Sequence, residues 1–512
     1  MELQAKITVL PELKDENLVV IEERAVTEHY TYTRLLYNKL LHEYLYEVIE
    51  PQLEDKELEL LNFVKRKFIE EVSEGLHDKS EEERVELLKK GIDRIVEESG
   101  LKVKKLCMEK IYYYCIRDFI GYGKIDVLMT DAMIEDISCD GANVPLYIYH
   151  RGYGSMKTNL VFEDDKELDR FVVALAQKCG KHISIASPML DATIPDGSRL
   201  QATLAREVTA RGSTFTIRRF RANPLTPADL VKFGTMSAEM IAYCWLAVQY
   251  GESMLISGGT ASGKTTTLNA ILLFIPPQAK IVSIEDTREI NIPHENWVAG
   301  LTRGGFRGKY AGTVGEIDMF ELMKAALRQR PQYIIVGEVR GKEAYIIFQA
   351  MATGKATYST IHADSVQAIV HRLENPPISL PRILVSALNI VLLQAQVKIG
   401  DKLCRKVTRI AEIVGIDPDT KELITNTIFE WEPGKDNFKY LGYSKLLDKI
   451  AYLRNISPEE VREELARRAE IIRWTVEKNI SNYREIASIV NAYYKDPDAV
   501  IKKVREELYG KR

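Results

Sequence analysis

The chain has 512 residues, of which 46% are hydrophobic and 28% are charged, and its formal net charge at pH 7 is -4. This length exceeds what one hydrophobic core usually holds, so two or three folded domains are expected. The hydrophobic content and the low net charge exclude a disordered chain. The near-neutral balance argues against duplex nucleic acid as the main partner, because such binding rests on clustered Lys and Arg. The scattered cysteines form no C-x-x-C pair, so they indicate neither a disulfide framework nor a zinc knuckle.

The N-terminal segment and the distribution of apolar residues bear on location. The opening segment MELQAKITVLPELKDENLVV mixes charges with apolar residues and has no cleavage site of the small-residue type, so a secretory signal is not expected. The sequence contains no uncharged apolar stretch long enough to cross a membrane. We therefore expect a cytoplasmic, soluble protein that reaches the inner face of the cell membrane only through a partner.

The first part of the chain is predicted to form two regions. Apolar residues at helical spacing, as in LLYNKLLHEYLYEVI, predict a helical region over residues 1–103. Short β-branched and aromatic runs follow, beginning with GYGKIDVLM, and they surround one helical pattern. These runs predict strands joined by tight turns, and together with the helix they predict an α+β domain over residues 104–222.

Residues 223–512 are predicted to form an α/β domain with a helical C-terminal tail. A helix should begin at Thr226, with Pro227 in its first position. Apolar strands then alternate with helices, which is typical of a parallel sheet with helical crossovers. The strands are MLISG, KIVSIED, YIIVGE and ATYSTIHA. The overall fold class is therefore α/β, with an α+β domain and a helical region before the parallel-sheet core.

The strongest chemical signal is a G-x-x-x-x-G-K-[ST] pattern between a predicted strand and a predicted helix. Backbone N–H groups of such a glycine-rich turn bind phosphate oxygens, Lys264 reaches the outer phosphates, and the Thr265 hydroxyl ligates magnesium. ATP or ADP with Mg²⁺ is therefore the expected ligand. The predicted nucleotide-binding residues are Gly258, Gly259, Thr260, Ala261, Ser262, Gly263, Lys264, Thr265 and Thr266.

Acidic residues and one histidine end three other predicted strands. Glu338 would polarise the attacking water or join the magnesium shell through water, because the strand ends meet beside the phosphates. Glu285 and Asp286 would tune magnesium or orient water, although a solvated turn with an Asp cap remains open. His362 would sense the terminal phosphate, although a lone histidine is more often structural.

Arginines are further catalytic candidates, because a guanidinium stabilises the charge that develops during phosphoryl transfer. In oligomeric ATPases such a residue often comes from a neighbouring subunit. A solvated basic stripe is the plain alternative, and the sequence leaves the choice open. The candidates are Arg218, Arg219 and Arg221 at the end of the α+β domain, and Arg328, Arg330 and Arg340 around the Glu338 strand.

Taken together, these segments resemble the ATPase superfamily of type II and type IV secretion systems, which also drives type IV pili, archaeal flagella and conjugation. GGTASGKTT resembles its Walker A motif, IEDTREI its Asp box, LRQRPQYIIVGEVRG its Walker B motif and ATGKATYSTIHADS its His box. PMLDATIPDGSRLQATL resembles a stretch of the family's second N-terminal domain. The resemblance runs from about Gly121 to Ala411.

The resemblance implies a RecA-like motor domain, a PAS-like N-terminal domain and a homohexamer with ATP sites at the subunit junctions. It also implies that arginines after Thr216 meet the phosphates. Two departures from bacterial members, the lone Cys404 after the His box and Lys355 in place of a histidine, point to the archaeal branch. Zinc is therefore not expected.

These expectations combine into a functional hypothesis. The leading hypothesis is a hexameric ATPase that powers pilus-type assembly or secretion through a polytopic membrane protein, with residues 1–103 as the docking element. Direct binding of nucleic acid is not expected. A motor of the archaeal flagellum is the alternative within the same class. From a different class, a DNA-stimulated translocase or helicase remains open, because RecA-like cores also move nucleic acid.

Overall fold

The computed structural model describes residues 7–71, 79–220, 223–303, 306–307, 313–314, 317–400 and 402–510. The chain divides into two compact units, Met1–Phe220 and Arg221–Arg512. Each unit contains a large sheet together with helices, which confirms the predicted mixed α/β class. Within the described ranges, no helix combines the length and the apolar character needed to cross a membrane.

The first unit is built around a sheet whose strands, among the described residues, run in the order β1-β2-β3-β6-β5-β4-β9-β8-β7. Neighbouring strands are antiparallel, apart from the parallel pair β3 and β6. The elements are β1 (Leu18–Thr27), β2 (Thr31–Asn38), β3 (Glu43–Ile49), α1 (Asp55–Glu71), α2 (Glu81–Glu98), α3 (Lys105–Phe119), α4 (Asp126–Thr130), β4 (Ile134–Cys139), β5 (Pro145–His150), β6 (Gly154–Val161), α5 (Asp165–Lys178), β7 (Met189–Thr193), β8 (Arg199–Thr203) and β9 (Thr214–Arg218).

The helical prediction for LLYNKLLHEYLYEVI is wrong, because this segment forms the end of β2, a turn and β3. The first six residues of β2 are all buried, so the strand lacks the alternation of apolar and polar residues that would have identified it. β3 pairs with β6, and residues 1–103 therefore share a sheet with the α+β region. The predicted boundary at residue 103 does not separate two compact units.

The strand predicted for GYGKIDVLM is also wrong. The segment forms a short 3-10 turn at Gly123–Ile125 followed by α4. A carboxylate oxygen of Asp126 accepts a hydrogen bond from the backbone N–H of Tyr122 at 2.8 Å, which favours the turn. Val127, Leu128 and Met129 are buried in the hydrophobic core of the first unit, so tertiary packing stabilises the helical form.

The second unit contains a sheet whose described strands run in the order β12-β11-β15-β16-β10-β17-β18-β19-β20, with a separate pair of β13 and β14. Its elements are α6 (Pro227–Lys232), α7 (Ala238–Gln249), β10 (Met254–Gly258), α8 (Lys264–Leu272), β11 (Ile281–Glu285), β12 (Trp297–Leu301), β13 (Phe306–Arg307), β14 (Thr313–Val314), α9 (Met319–Arg328), β15 (Tyr333–Glu338), α10 (Glu343–Ala352), β16 (Ala356–Ile361), α11 (Val366–Glu374), α12 (Arg382–Val385), β17 (Ile390–Ile399), β18 (Lys402–Ile416), β19 (Leu423–Glu432), β20 (Asn437–Tyr440), α13 (Lys445–Arg454), α14 (Pro458–Glu477), α15 (Tyr483–Lys495) and α16 (Pro497–Tyr509).

The strands from β12 to β17 are parallel, and those from β17 to β20 are antiparallel. Every residue of β10, β11 and β16 is buried, as expected for strands covered on both faces. α6 begins as predicted, because Thr226 caps it and Pro227 occupies its first turn. The carboxyl ends of β10, β11, β15 and β16 meet at one edge of the sheet, where open α/β sheets bind ligands.

The C-terminal helices belong to the core of the second unit and are not an appended tail. The ring of Trp245 on α7 stacks on Phe274 with a centroid separation of 5.0 Å. Its indole N–H donates to the hydroxyl of Tyr494 on α15 at 2.9 Å, and that hydroxyl donates to the backbone carbonyl of Phe274 at 2.6 Å. α15 is thereby fixed against the segment that follows α8.

Candidate functional site

The loop between β10 and α8 has the backbone geometry of an anion-binding turn. Ala261 and Gly263 adopt left-handed conformations with φ of 58° and 92°. A Cβ atom at Gly258 would lie 2.0 Å from the backbone oxygen of Gln394, so only glycine fits there. Gly259 and Thr260 are exposed. The turn is therefore open to a ligand and precedes the N-terminus of α8, where phosphate is stabilised.

Lys264 lies across this loop and is only 8% exposed. Its Nζ donates hydrogen bonds to the backbone carbonyls of Gly258 at 3.0 Å and Gly259 at 2.8 Å. Ser262 supports the same turn by donating from Oγ to the Gly259 carbonyl at 2.9 Å. The ammonium group is thus held at the phosphate-binding turn by neutral carbonyls. Thr265, next along α8, is half-buried.

His362 joins this loop to the end of β15. Its Nδ1 lies 3.4 Å from Lys264 Nζ, and its Nε2 lies 3.3 Å from a carboxylate oxygen of Glu338. Burial and, secondly, the charge of Lys264 lower the pKa of the imidazole below its ordinary value. The lowered pKa favours the neutral form of the ring at pH 7. With its proton on Nε2, it accepts from Lys264 and donates to Glu338.

Glu338 is also bound on its other side. Arg340 donates from one Nη to the second carboxylate oxygen of Glu338 at 2.6 Å, and its other Nη lies 3.6 Å from Asp286. Asp286 in turn accepts a hydrogen bond from the Thr302 hydroxyl at 3.2 Å. A continuous polar chain, which we call the relay, therefore crosses the sheet edge. Its members are Lys264, His362, Glu338, Arg340 and Asp286.

Glu285 stands outside the relay although it was predicted beside Asp286. One of its carboxylate oxygens accepts hydrogen bonds from the backbone N–H groups of Glu289 at 2.8 Å and Ile290 at 2.9 Å. The residue is 2% exposed, and burial raises the pKa of its carboxyl to about 7. Glu285 thus fixes the backbone of the loop that carries Asp286, which is a positioning task.

The predicted arginines lie in different places. Arg218 ends β9 in the first unit and pairs across the sheet with Asp136. Arg219 binds backbone carbonyls of its own unit, those of Asp131 and Leu128, and its side chain is half-buried there. Arg221 lies outside the described residues.

Arg328 is exposed in the last turn of α9, shortly before β15 begins. Glu338 ends β15, about 20 Å further along a strand of this length. The second unit therefore does not bring Arg328 of the same chain to the relay.

Arg340 was predicted from the sequence only as one of several arginines around the Glu338 strand, although its position two residues after Glu338 was a usable signal. Two other contacts at the site were not predicted. Arg372 donates from Nη1 to the backbone carbonyl of His362 at 2.8 Å. Arg405 on β18 donates from Nε to the carbonyl of Ala261 at 3.0 Å. No local pattern identifies Arg405, because its approach depends on the pairing of β18 with β17 beside β10.

The residues present fit a nucleotide with magnesium. Within the described residues, no group of three or more His, Cys, Asp or Glu side chains is placed to hold a metal ion by itself. Mg²⁺ commonly takes one or two protein ligands together with substrate phosphates and water, so such a group is not required. The Thr265 hydroxyl at the start of α8 and the Glu338 carboxylate at the end of β15 are the candidates to hold it.

Comparisons with known proteins identify the family of the chain. The family model described as type II/IV secretion system protein matches residues 122–472. The uncharacterized protein MJ0900 of Methanocaldococcus jannaschii is 37% identical over 472 residues, which cover 88% of this chain and 85% of that protein. The probable conjugal transfer protein TrbB of Sinorhizobium fredii is 33% identical over 253 residues, 48% of this chain and 73% of that protein. Among solved structures, the pilus retraction motor PilT with bound ADP is 16% identical, with a TM-score of 0.40 over 70% of this chain and 93% of that one.

Proposed function

The chain belongs to the type II/IV secretion system protein family, and we propose that it is a magnesium-dependent ATPase that drives a mechanical step in secretion or pilus-type assembly. The observation that carries this proposal is the relay from Lys264 through His362 to Glu338. A site that only binds nucleotide needs the loop and the lysine. Hydrolysis also needs a group that orients the attacking water, and the Glu338 carboxylate, joined to Lys264 through His362, can do this.

Each residue has a task in this proposal. Lys264 exchanges its bonds to the loop carbonyls for bonds to the outer phosphates, because charged acceptors bind an ammonium group more strongly than neutral ones. Glu338 orients and polarises the attacking water. His362 contacts both Lys264 and Glu338, so binding of phosphate by Lys264 affects the hydrogen bonding of Glu338. Magnesium, held by the Thr265 hydroxyl, would neutralise charge on the phosphates. Arg340 must leave at least one oxygen of Glu338 for water.

The assembly belongs to the same proposal. Membership of a secretion system family supports a homohexamer that works on a polytopic membrane partner at the inner face of the membrane. In that assembly residues 1–103 are the docking element, and Arg218 or Arg328 acts at the site of a neighbouring subunit. The exposure of both arginines is compatible with that role.

Two alternatives remain. A motor of the archaeal flagellum would use the same relay, so the site does not distinguish it from a secretion motor. A DNA-stimulated translocase is favoured by one specific observation, the similarity to a protein named for conjugal transfer. The net charge of -4 argues for a protein partner instead.

The test is steady-state ATP hydrolysis by the full chain and by Lys264→Ala, with particle mass from light scattering in the presence of a nonhydrolysable ATP analogue. We expect hydrolysis that depends on Lys264, in a six-subunit particle, and stimulation by anionic lipid vesicles but not by single-stranded DNA. Equal hydrolysis by both proteins would overturn the ATPase assignment. Stimulation by DNA instead of lipid would replace the secretion motor with the translocase.

A further inference from the structure

A solvent-open cavity of about 410 Å³ lies beside the relay, on the side of Arg340. Its walls come from the loop after β15, the last turn of α11 and the Pro376–Ile378 segment. Three of its side chains, Arg340, His371 and Arg372, are basic, and Asn375 adds an amide. None of these described lining residues is acidic. The polar part of the lining therefore favours an anion, while Pro376, Pro377 and Ile378 form its apolar part.

Both arginines of this cavity also contact the site. Arg340 donates to Glu338 at 2.6 Å, and Arg372 donates to the backbone carbonyl of His362 at 2.8 Å. The cavity thus begins one side chain away from Glu338 and His362, the two residues that the proposed function places beside Lys264 and the attacking water.

Arg340 is already paired with Glu338 and Asp286, so the uncompensated arginine charge of the cavity is that of Arg372. The acid close to Arg372 in sequence does not cancel it. Glu374 adjoins His371 and Arg372 on α11, but Arg382 binds both of its carboxylate oxygens. The contact of Arg372 with the His362 carbonyl is with a neutral group, so its full charge remains available to an anion.

The C-terminal position of His371 and Arg372 on α11 has an ordinary explanation, since cations stabilise that end of a helix. This explanation does not account for Arg340, which comes from the loop after β15 and converges on the same space. The Arg372 guanidinium provides forked donors of the kind that bind a tetrahedral oxyanion, and Arg340, from a separate element, lines the same space while it is paired with Glu338.

We propose that this cavity binds the inorganic phosphate released from ATP and forms the first station of its exit path. The inference rests on the proposed ATPase function, since it assigns the product of that reaction to a second site. Arg340 links the two, because it binds Glu338 before hydrolysis and faces the cavity that receives the phosphate. Removal of the charge of Arg372 therefore weakens phosphate binding and slows phosphate release.

Binding is tested by calorimetric titration of inorganic phosphate into the full chain saturated with a nonhydrolysable ATP analogue, which occupies the loop after β10. We expect one phosphate per chain in the wild type and at least about tenfold weaker binding in Arg372→Gln, as for loss of one charged hydrogen bond. Arg409→Gln is the matched control, because Arg409 is an exposed arginine paired with Glu430 at 2.8 Å on β19. Absence of binding in the wild type, or equal binding in all three proteins, overturns the site.

The passage of product phosphate is tested in a single turnover of ATP, with bond cleavage followed by acid quench and release followed by a fluorescent phosphate sensor. We expect release in Arg372→Gln to lag cleavage by at least threefold more than in the wild type and in Arg409→Gln. An unchanged lag overturns the exit path even when free phosphate binds. The absence of any Lys264-dependent cleavage would instead refute the ATPase itself, so the two failures are distinguishable.

Discussion

Lys264 Nζ lies 3.4 Å from Nδ1 of His362, although the two residues are 98 positions apart in the chain. The contact forms because β10 and β16 are adjacent parallel strands, so the residues that follow them share one edge of the sheet. Since His362 also lies 3.3 Å from Glu338, the imidazole joins the lysine to the carboxylate. A change at His362 should therefore affect hydrolysis more than binding.

His362→Gln should lower the turnover number for ATP by about a hundredfold, a typical effect of removing one active-site proton or hydrogen-bond partner. ATP affinity, measured by fluorescence of a labelled analogue, should stay close to that of the wild type. His294→Gln is a matched control, because His294 contacts the backbone carbonyl of Ala279 before β11 begins. Parallel losses of turnover and affinity in His362→Gln would show that the imidazole acts only in binding.

Glu285 should make the stability of the second unit depend on pH. Burial raises the pKa of its carboxyl from 4.5 to about 7, so the folded protein retains a proton that the unfolded chain has lost between these values. The contribution is fully present below about pH 4.5 and is lost as pH rises through 7; it amounts to about 3 kcal/mol.

The measurement is the midpoint of urea unfolding between pH 4.5 and 8 for the wild type and Glu285→Gln. The variant mimics the protonated carboxyl and keeps an acceptor for the N–H groups of Glu289 and Ile290. We expect the stability of the wild type to fall relative to that of the variant as pH rises. Parallel profiles would contradict the assignment.

Arg468 should be essential for the packing of the C-terminal helices. It is 2% exposed, its guanidinium lies 5.0 Å from the ring centre of Trp245, and it donates to Glu464 at 2.8 Å. Arg468→Met should lower the free energy of unfolding by about 3 kcal/mol, because Glu464 loses its charged partner.

The neighbouring Arg467 provides the control for this prediction. It is partly exposed and pairs with Asp498 at 3.3 Å. Arg467→Met should therefore cost less than about 1 kcal/mol. Urea unfolding monitored by tryptophan fluorescence compares the two variants. Equal losses would mean that Arg468 and its aromatic neighbours contribute no more than a surface ion pair.

Much of the site followed from the sequence because its residues sit at the ends of buried parallel strands. Apolar runs that end in Gly258, Glu338 and His362 required only the rule that parallel strands share a carboxyl edge. The role of Glu285 could not be predicted in the same way. Adjacent side chains at a strand end point in opposite directions. Only the conformation of the following loop brings the Asp286 carboxylate near Arg340 and lets the Glu285 carboxylate accept a hydrogen bond from the backbone N–H of Glu289.

The fold of residues 1–103 was less predictable for a related reason. The apolar positions of LLYNKLLHEYLYEVI satisfy helical spacing and also suit a buried strand, so periodicity does not decide between them. The decision comes from pairing at long range, since β3 joins β6 through Leu45 and Lys157. The side chain of Asn159 strengthens this pairing by hydrogen bonds to the backbone of Val48 in both directions.

The central claim is that Glu338 activates water for hydrolysis of ATP bound at Lys264. Its most direct test is steady-state hydrolysis and nucleotide binding by Glu338→Gln, with Glu430→Gln on β19 as a partly exposed control. The account predicts nucleotide affinity close to that of the wild type and turnover lower by at least about a hundredfold in Glu338→Gln alone. Turnover equal to that of the wild type would contradict it, because the carboxylate would then have no part in the reaction.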